Sequence, residues 1–355
     1  MATMTDAAAF AQRLFTELIG GMEILAVYIG DRLGLYRALA DAGPLTVDEL
    51  AHRTGMHPRY AREWLEQQAV SGILTVNGPG PAPRFDLPGA HAEVLTDPSS
   101  LVYTPPFARM LVAASARLPE LLEAYRTGGG VGWSQFGADA RDGQGDANRP
   151  WFETALAPAL ARVPAVHDVL SRSGARIVDV GSGHGWSSIA LARAYPNATV
   201  VGVDVDEPSI TAAREHAAAV PSVSFRRADG DGFVRDGEPL LDAAFVFEAL
   251  HDMPDPVGVL RAIRDSLRDD GIVVVMDEAV AETFAPDGDE IERIMYAYSL
   301  LICLPDSMST PGSVATGTVM RPAVLERYAR GAGFAGIEIL PIDDFAAFRF
   351  YRLLL

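Results

Sequence analysis

The sequence predicts an α/β chain: a doubly wound, mainly parallel seven-stranded sheet preceded by an α-helical winged-helix module. Three observations lead there. From Arg176 onward, short apolar runs alternate with helical patterns, as in a parallel sheet wound by crossover helices. A glycine-rich turn follows the first of those runs. Residues 46–87 read helix, turn, helix, hairpin, which is winged-helix order. The 355 residues suit two domains, and a hydrophobic share of 49% is ample for a core.

Taken in order, residues 7–40 show apolar positions at helical spacing, with Gly20, Gly21 and Gly30 as expected breaks. Thr46 and Glu49 have capping-box spacing, in which each side chain satisfies an orphaned backbone N–H. Gly55 ends that helix, and Pro58 opens another that runs to about Ser71. Leu74–Val76 and Phe85–Leu87 form a hairpin, and residues 104–126 look helical. Residues 128–148 are rich in Gly, Asp and Gln and read as a long loop, a lid by virtue of the embedded Trp133 and Phe136. The strand candidates are 177–180, 200–203, 223–226, 243–247, 272–276, 337–340 and 348–353. The last two are close enough in sequence to be an antiparallel pair at one edge.

Composition removes whole classes of chemistry. The chain contains no lysine, so all 29 basic residues are arginine. Schiff-base, pyridoxal-phosphate and Walker-A chemistry are thereby excluded. The net charge is −18, and residues 1–95 hold 7 Arg against 11 Asp and Glu. A module gripping phosphates would be basic, so nucleic acid is not an expected partner. The only cysteine is Cys303, which rules out intrachain disulfides and cysteine-based zinc sites. No basic-then-apolar leader opens the sequence, and the best apolar stretch, Met22–Ala40, is broken by Glu23, Asp31, Arg32 and Arg37. The expectation is a cytoplasmic protein without a membrane partner.

The glycine-rich turn runs Asp179-Val180-Gly181-Ser182-Gly183-His184-Gly185-Trp186. It lies at a strand's carboxyl end, where open α/β sheets bind ligands. A dinucleotide fingerprint would need glycine where Trp186 stands, and Asp179 would repel a pyrophosphate. Asp179 better suits a cation such as the amino group or sulfonium of S-adenosylmethionine. Asp204 ends the next strand, placed to accept from ribose hydroxyls, and Asp229-Gly230 follows the third strand, placed to meet an adenine amino group. An NAD-linked dehydrogenase is therefore the weaker reading.

The run Val178–Gly185 resembles motif I of class I S-adenosylmethionine-dependent methyltransferases, a likeness covering residues 150–355. The winged-helix module is similar to the N-terminal dimerisation domain of bacterial and plant small-molecule O-methyltransferases. The resemblance implies three segments: a dimerisation domain at 1–98, a helical linker and substrate lid at 99–160, and a cofactor-binding domain at 161–355 with a helical insert at 281–320. It further implies a homodimer that binds S-adenosylmethionine and releases S-adenosylhomocysteine. Its cofactor contacts would be Asp179, Gly181, Ser182, Gly183, Gly185, Asp204, Val205, Asp229, Gly230, Phe247 and Glu248.

Phe247–Asp252 resembles the family's Cys-His-Asp-Trp stretch, which makes His251 a candidate general base oriented by Asp277 or Glu278. Leu250 and Met253 depart from that stretch. If His251 only caps a strand end, the acceptor would be a nucleophilic N, S or C atom methylated by proximity. Trp133, Met295 and Tyr298 are the candidate acceptor contacts, and Met295 and Tyr298 could equally be packing residues. No metal is expected, although Glu248, His251 and Asp252 could offer ligands to iron. A second class of function, a winged-helix regulator with a sensing α/β domain, stays open at this point.

Overall fold

The computed structural model describes residues 6–77, 82–229, 232, 239–345 and 347–355. The chain divides into two compact units, Met1–Val112 and Ala113–Leu355.

In the first unit, helices Leu35–Ala42, Val47–Thr54 and Pro58–Val70 precede a two-stranded wing, β1 (Thr75–Asn77) and β2 (Arg84–Asp86). The Thr46/Glu49 capping box forms as its spacing predicts. Leu35, Leu39, Leu50, Leu65 and Phe85 are buried together. The expected glycine breaks near the N-terminus do not occur: Ala7–Arg32 is one helix. Gly30 lies inside it because a Cβ there would meet the Trp64 ring at 2.7 Å and also the Tyr36 ring. Close approach rather than chain reversal explains this glycine. The reversal falls at Gly34, whose φ is +67°.

The second unit is a seven-stranded sheet. Its strands are β3 (Arg176–Val180), β4 (Thr199–Asp204), β5 (Val223–Arg227), β6 (Leu241–Phe247), β7 (Leu267–Glu278), β8 (Gly336–Ile339) and β9 (Phe348–Leu354). Their order is β5-β4-β3-β6-β7-β9-β8. The first five are parallel, while β9 runs antiparallel to both β7 and β8. All seven residues of β6 are buried, as expected of a strand covered on both faces. Ile177, Phe245, Val274 and Phe350 feed one core layer, and Val178, Val246, Val273 and Tyr351 feed the opposite one. The chain leaves β3 toward β4 on one side and returns to β6 on the other. That reversal opens a crevice at the strands' carboxyl ends, where such folds place ligands.

A second expectation about local structure is overturned. Residues 128–148 are not a long loop; Trp133–Trp151 is helical, with a kink at Gly137 (φ +79°). Its buried stripe is Phe136, Ala140, Gly143 and Pro150. Small residues on that face conceal the helical period, because helices are ordinarily read from large apolar side chains. Among the described residues, no helix is long and apolar enough to cross a membrane.

Candidate active site

Two strand ends build the site. At the end of β3 the chain turns through Gly181 (φ +79°) and enters helix Trp186–Ala194. A Cβ on Gly181 would meet the Ala249 Cβ at 2.5 Å, so the turn packs directly on the segment that follows β6. Asp179 is fully buried, and its Oδ2 accepts from Ser187 Oγ and Ser188 Oγ, each at 2.6 Å. Its Oδ1 is buried without a hydrogen-bond partner, as is Ser182 Oγ. Burial pushes the Asp179 carboxyl up to about 6, against the pull of the two serines. At the end of β4, Asp204 accepts from Gly183 N–H through Oδ2 (2.8 Å) and from Asp206 N–H through Oδ1 (2.9 Å). Each oxygen keeps a lone pair for a further donor.

Beside Gly183, its two chain neighbours aside, no atom of the described residues lies within 4 Å of where a Cβ would sit. Open space, a buried carboxylate oxygen awaiting a donor, and the Asp204 carboxylate at the next strand end fit an amino-acid–ribose ligand. Val205, 55% exposed, extends that edge. Asp229 is exposed and far less constrained. Gly230 lies outside the described residues. Gly185 (φ +81°) packs on Phe225 and helps close the turn rather than line it.

The second strand end is acidic. Phe247 is only 5% exposed; its ring stacks on Phe245 and contacts Phe152. Its side chain therefore belongs to the core, and only its backbone remains at the strand end. Glu248 follows with a left-handed backbone, φ +49°. Its Oε2 accepts from Gln144 Nε2 (2.9 Å) and Asn148 Nδ2 (3.2 Å), both on helix Trp133–Trp151. Burial pushes the Glu248 carboxyl up to about 7, against those two amides.

His251 is 2% exposed, and its Nδ1 lies 3.0 and 3.1 Å from the two oxygens of Asp277 on β7. Glu278 Oε2 is 3.3 Å from the same nitrogen, and Asp252 Oδ1 is 3.4 Å from Nε2. Burial draws the imidazole pKa down, but Asp252, Glu278 and Asp277 more than offset it and hold it well above the usual value. Asp277 is buried too, yet His251 keeps it ionised below the ordinary carboxylate range. Its neighbour Glu278 is driven well up by burial and by Asp277. An ionised Asp277 accepts only, which places a proton on Nδ1.

The structure thus brings His251, Asp277 and Glu278 into one buried group. Tyr298 joins its edge: its phenol is raised by burial and by the nearby Cys303 and Glu248. Met295 is buried. Trp133 is part-buried, and its backbone N–H donates to Asp306 Oδ1 (2.6 Å). Burial and Asp252 push Asp306 up to about 7. Sequence reasoning missed Gln144, Asn148 and Asp306. The first two sit at i and i+4, a signal that becomes visible only once their segment is known to be helical. Nothing in the sequence around Asp306 distinguishes it. The ligand atoms of His251, Asp252 and Cys303, and those of His251, Asp277 and Glu278, lie close enough together to hold an ion.

Residues 171–304 match the family model described as a methyltransferase domain, and residues 6–97 match the Rv2258c-like winged helix-turn-helix domain. A ubiquinone biosynthesis O-methyltransferase of Stutzerimonas stutzeri is 26% identical over 196 residues, 54% of this chain and 78% of that protein. Its counterpart in Actinobacillus pleuropneumoniae is 31% identical over 134 residues, 36% of this chain and only 51% of that protein. In fold, the chain resembles human N-acetylserotonin methyltransferase solved with S-adenosylmethionine (TM-score 0.72, 18% identity, 100% and 99% of the two chains). It likewise resembles the mitomycin 7-O-methyltransferase MmcR (TM-score 0.70, 21% identity, 98% of each chain).

Proposed function

We propose that this chain, which joins a methyltransferase domain to a winged helix-turn-helix domain, is an S-adenosylmethionine-dependent methyltransferase that methylates an oxygen of a small, hydroxylated, aromatic acceptor with His251 as general base. The observation that carries the reading is the His251–Asp277 pair, 3.0 Å apart, with His251 on the segment that packs on the glycine turn through Ala249.

S-adenosylmethionine, when bound, supplies the electrophilic methyl group. Asp179, Ser182 and the turn at Gly181–Gly185 would hold its amino-acid end, Asp204 and Val205 its ribose, and Asp229-Gly230 its adenine. The remaining work falls to this chain's side chains. Asp277 fixes the imidazole ring by accepting from Nδ1–H, which leaves Nε2 as the basic atom. In the protonated imidazolium Nε2 cannot accept, so His251 must lose its extra proton before it can take one from an acceptor hydroxyl. Trp133 and Tyr298 would flank the acceptor, with Met295 packed behind.

We further read the protein as a homodimer, without nucleic acid or membrane as partner. Helix Ala7–Arg32 exposes Phe10, Leu14, Phe15, Leu18, Ile19 and Met22. An apolar face of this kind suits a second protein surface. Sedimentation of the wild type against Leu18→Glu tests it; a monomeric wild type would refute the dimer.

Calorimetric titration with S-adenosylhomocysteine and with NAD tests the cofactor, and tritiated methyl transfer to a panel of phenols tests the reaction. Label appearing only on nitrogen, sulfur or carbon would replace O-methylation by a proximity mechanism.

A further inference from the structure

Among the described residues, Glu248 and Ala315 are the non-glycine residues with left-handed backbones. Such strain survives where the surroundings over-determine it. At Glu248 the surroundings are specific. Two amides from successive turns of helix Trp133–Trp151 donate to a single oxygen, Oε2. The charged groups that act most strongly on this carboxyl are His251 and Asp277.

The neighbourhood is short of positive charge. Glu248, Asp252, Glu278 and Asp306 all sit above the ordinary carboxylate range, each first of all because of burial. His251 is the cation that acts on them. Two oxygens in this group also lack a donor. Glu278 Oε2, on a side chain 6% exposed, gets no hydrogen bond because Nδ1–H of His251 is directed at Asp277. Asp252 Oδ1 is buried and equally without one. Buried acceptors without donors are costly, and so are buried charges without counter-charges. A ligand carrying N–H donors on a cation would satisfy both needs, whereas an anionic ligand would be repelled.

We propose that Glu248 determines acceptor specificity by binding a protonated amine of the acceptor, and that Gln144 and Asn148 are its positioning residues. This rests on the reading of the chain as a methyltransferase whose acceptor lies beside His251. The acceptor is then an amine-bearing molecule methylated at a different atom from the one Glu248 holds. Tyr298 is near enough for its phenol to feel the Glu248 charge. The rival assignment gives Glu248 to the sulfonium of the cofactor, and the two make opposite predictions.

Three matched catechols serve as probes: 3,4-dihydroxyphenethylamine, 3,4-dihydroxyphenylethanol and 3,4-dihydroxyphenylacetate. Each is titrated calorimetrically into the full-length protein loaded with S-adenosylhomocysteine. The wild type is expected to favour the amine over the alcohol by about tenfold or more, and to bind the acetate weakest. Glu248→Gln is expected to erase the amine preference while changing the affinities for S-adenosylmethionine and S-adenosylhomocysteine by less than about twofold. Asn148→Ala keeps the carboxylate, tests the same point without altering the strained position, and is expected to lose part of the preference. A wild type with no amine preference, including one that binds none of the probes, overturns the proposal. So does a Glu248→Gln protein that keeps the preference, or one that loses S-adenosylmethionine affinity selectively. Failure of the wild type to bind S-adenosylmethionine or its product would instead refute the methyltransferase reading itself.

Discussion

The carboxyl ends of β3 and β4 and those of β6 and β7 are both lined with carboxylates, but they treat them differently. Asp179 receives two serine hydroxyls and Asp204 two backbone N–H groups. Those donors come from the turn, from the helix that follows it and from the residues just past β4, while Asp179 Oδ1 and Ser182 Oγ stay buried without a partner. Around His251 the carboxylates outnumber the donors, and buried oxygens of Asp252 and Glu278 are left without one. Both halves thus hold buried oxygens that carry a cost until something binds, but only the second gathers its carboxylates around an imidazole. The difference separates a half that would hold a constant ligand from a half poised for proton transfer and for a charged one.

The comparison is broken most directly at His251. His251→Ala is expected to lower methyl transfer by about a hundredfold or more while leaving cofactor affinity intact. Near-normal turnover would remove the general base. In the wild type, carboxylates raise the imidazole pKa well above its usual value, so the rate should climb with pH through a limb far above neutrality. That limb should vanish in the alanine variant. A rate independent of pH between 6 and 9 in the wild type would contradict the assignment.

Next comes Asp277→Asn, which keeps the shape of the residue but removes the charge that fixes the Nδ1 proton. A loss of about tenfold or more in rate, with the alkaline limb shifted to lower pH, is expected. An unshifted limb would mean that Asp277 does not set the basicity of His251. In the other half, Asp204→Ala should weaken cofactor binding by about tenfold without altering the pH profile of transfer. If the profile moved, the two halves would not be separable.

Asp179→Asn gives a smaller and pH-dependent effect. Its carboxyl rises from 3.8 to about 6 on folding, so the folded state favours the protonated form. Stability from this group is therefore full below about pH 4 and is lost as pH rises toward 6. The asparagine variant should gain a few degrees in Tm at pH 8, gain nothing at pH 4, and bind cofactor more weakly. Equal Tm at pH 8 would show that the buried charge is relieved by some other group. Asp229→Ala is the mildest change, expected to cost cofactor affinity only severalfold because the side chain is exposed.

Much of the fold was legible beforehand for identifiable reasons. The strands read well because β3, β6 and the part of β7 from Ile272 onward are buried on both faces and so present continuous apolar runs. The capping box read well because its chemistry is local. Helix Trp133–Trp151 did not, since its buried face is made partly of Ala140 and Gly143 and its path bends at Gly137. Gly30 was mistaken for a break because the rings that require it, Tyr36 and Trp64, come from other helices.

By itself, then, the sequence determined the fold class, the order of elements, the glycine turn, and the presence of His251 near two acidic residues. Each is encoded by neighbours within a few positions, where spacing is geometry. Only the tertiary structure decided that Phe247 turns into the core while Glu248 turns outward to amides about a hundred positions earlier. It alone decided that Asp306 and Cys303 join Asp252 near the histidine. Charge balance and burial there depend on elements distant in sequence, and pairing of that kind leaves no periodic trace along the chain.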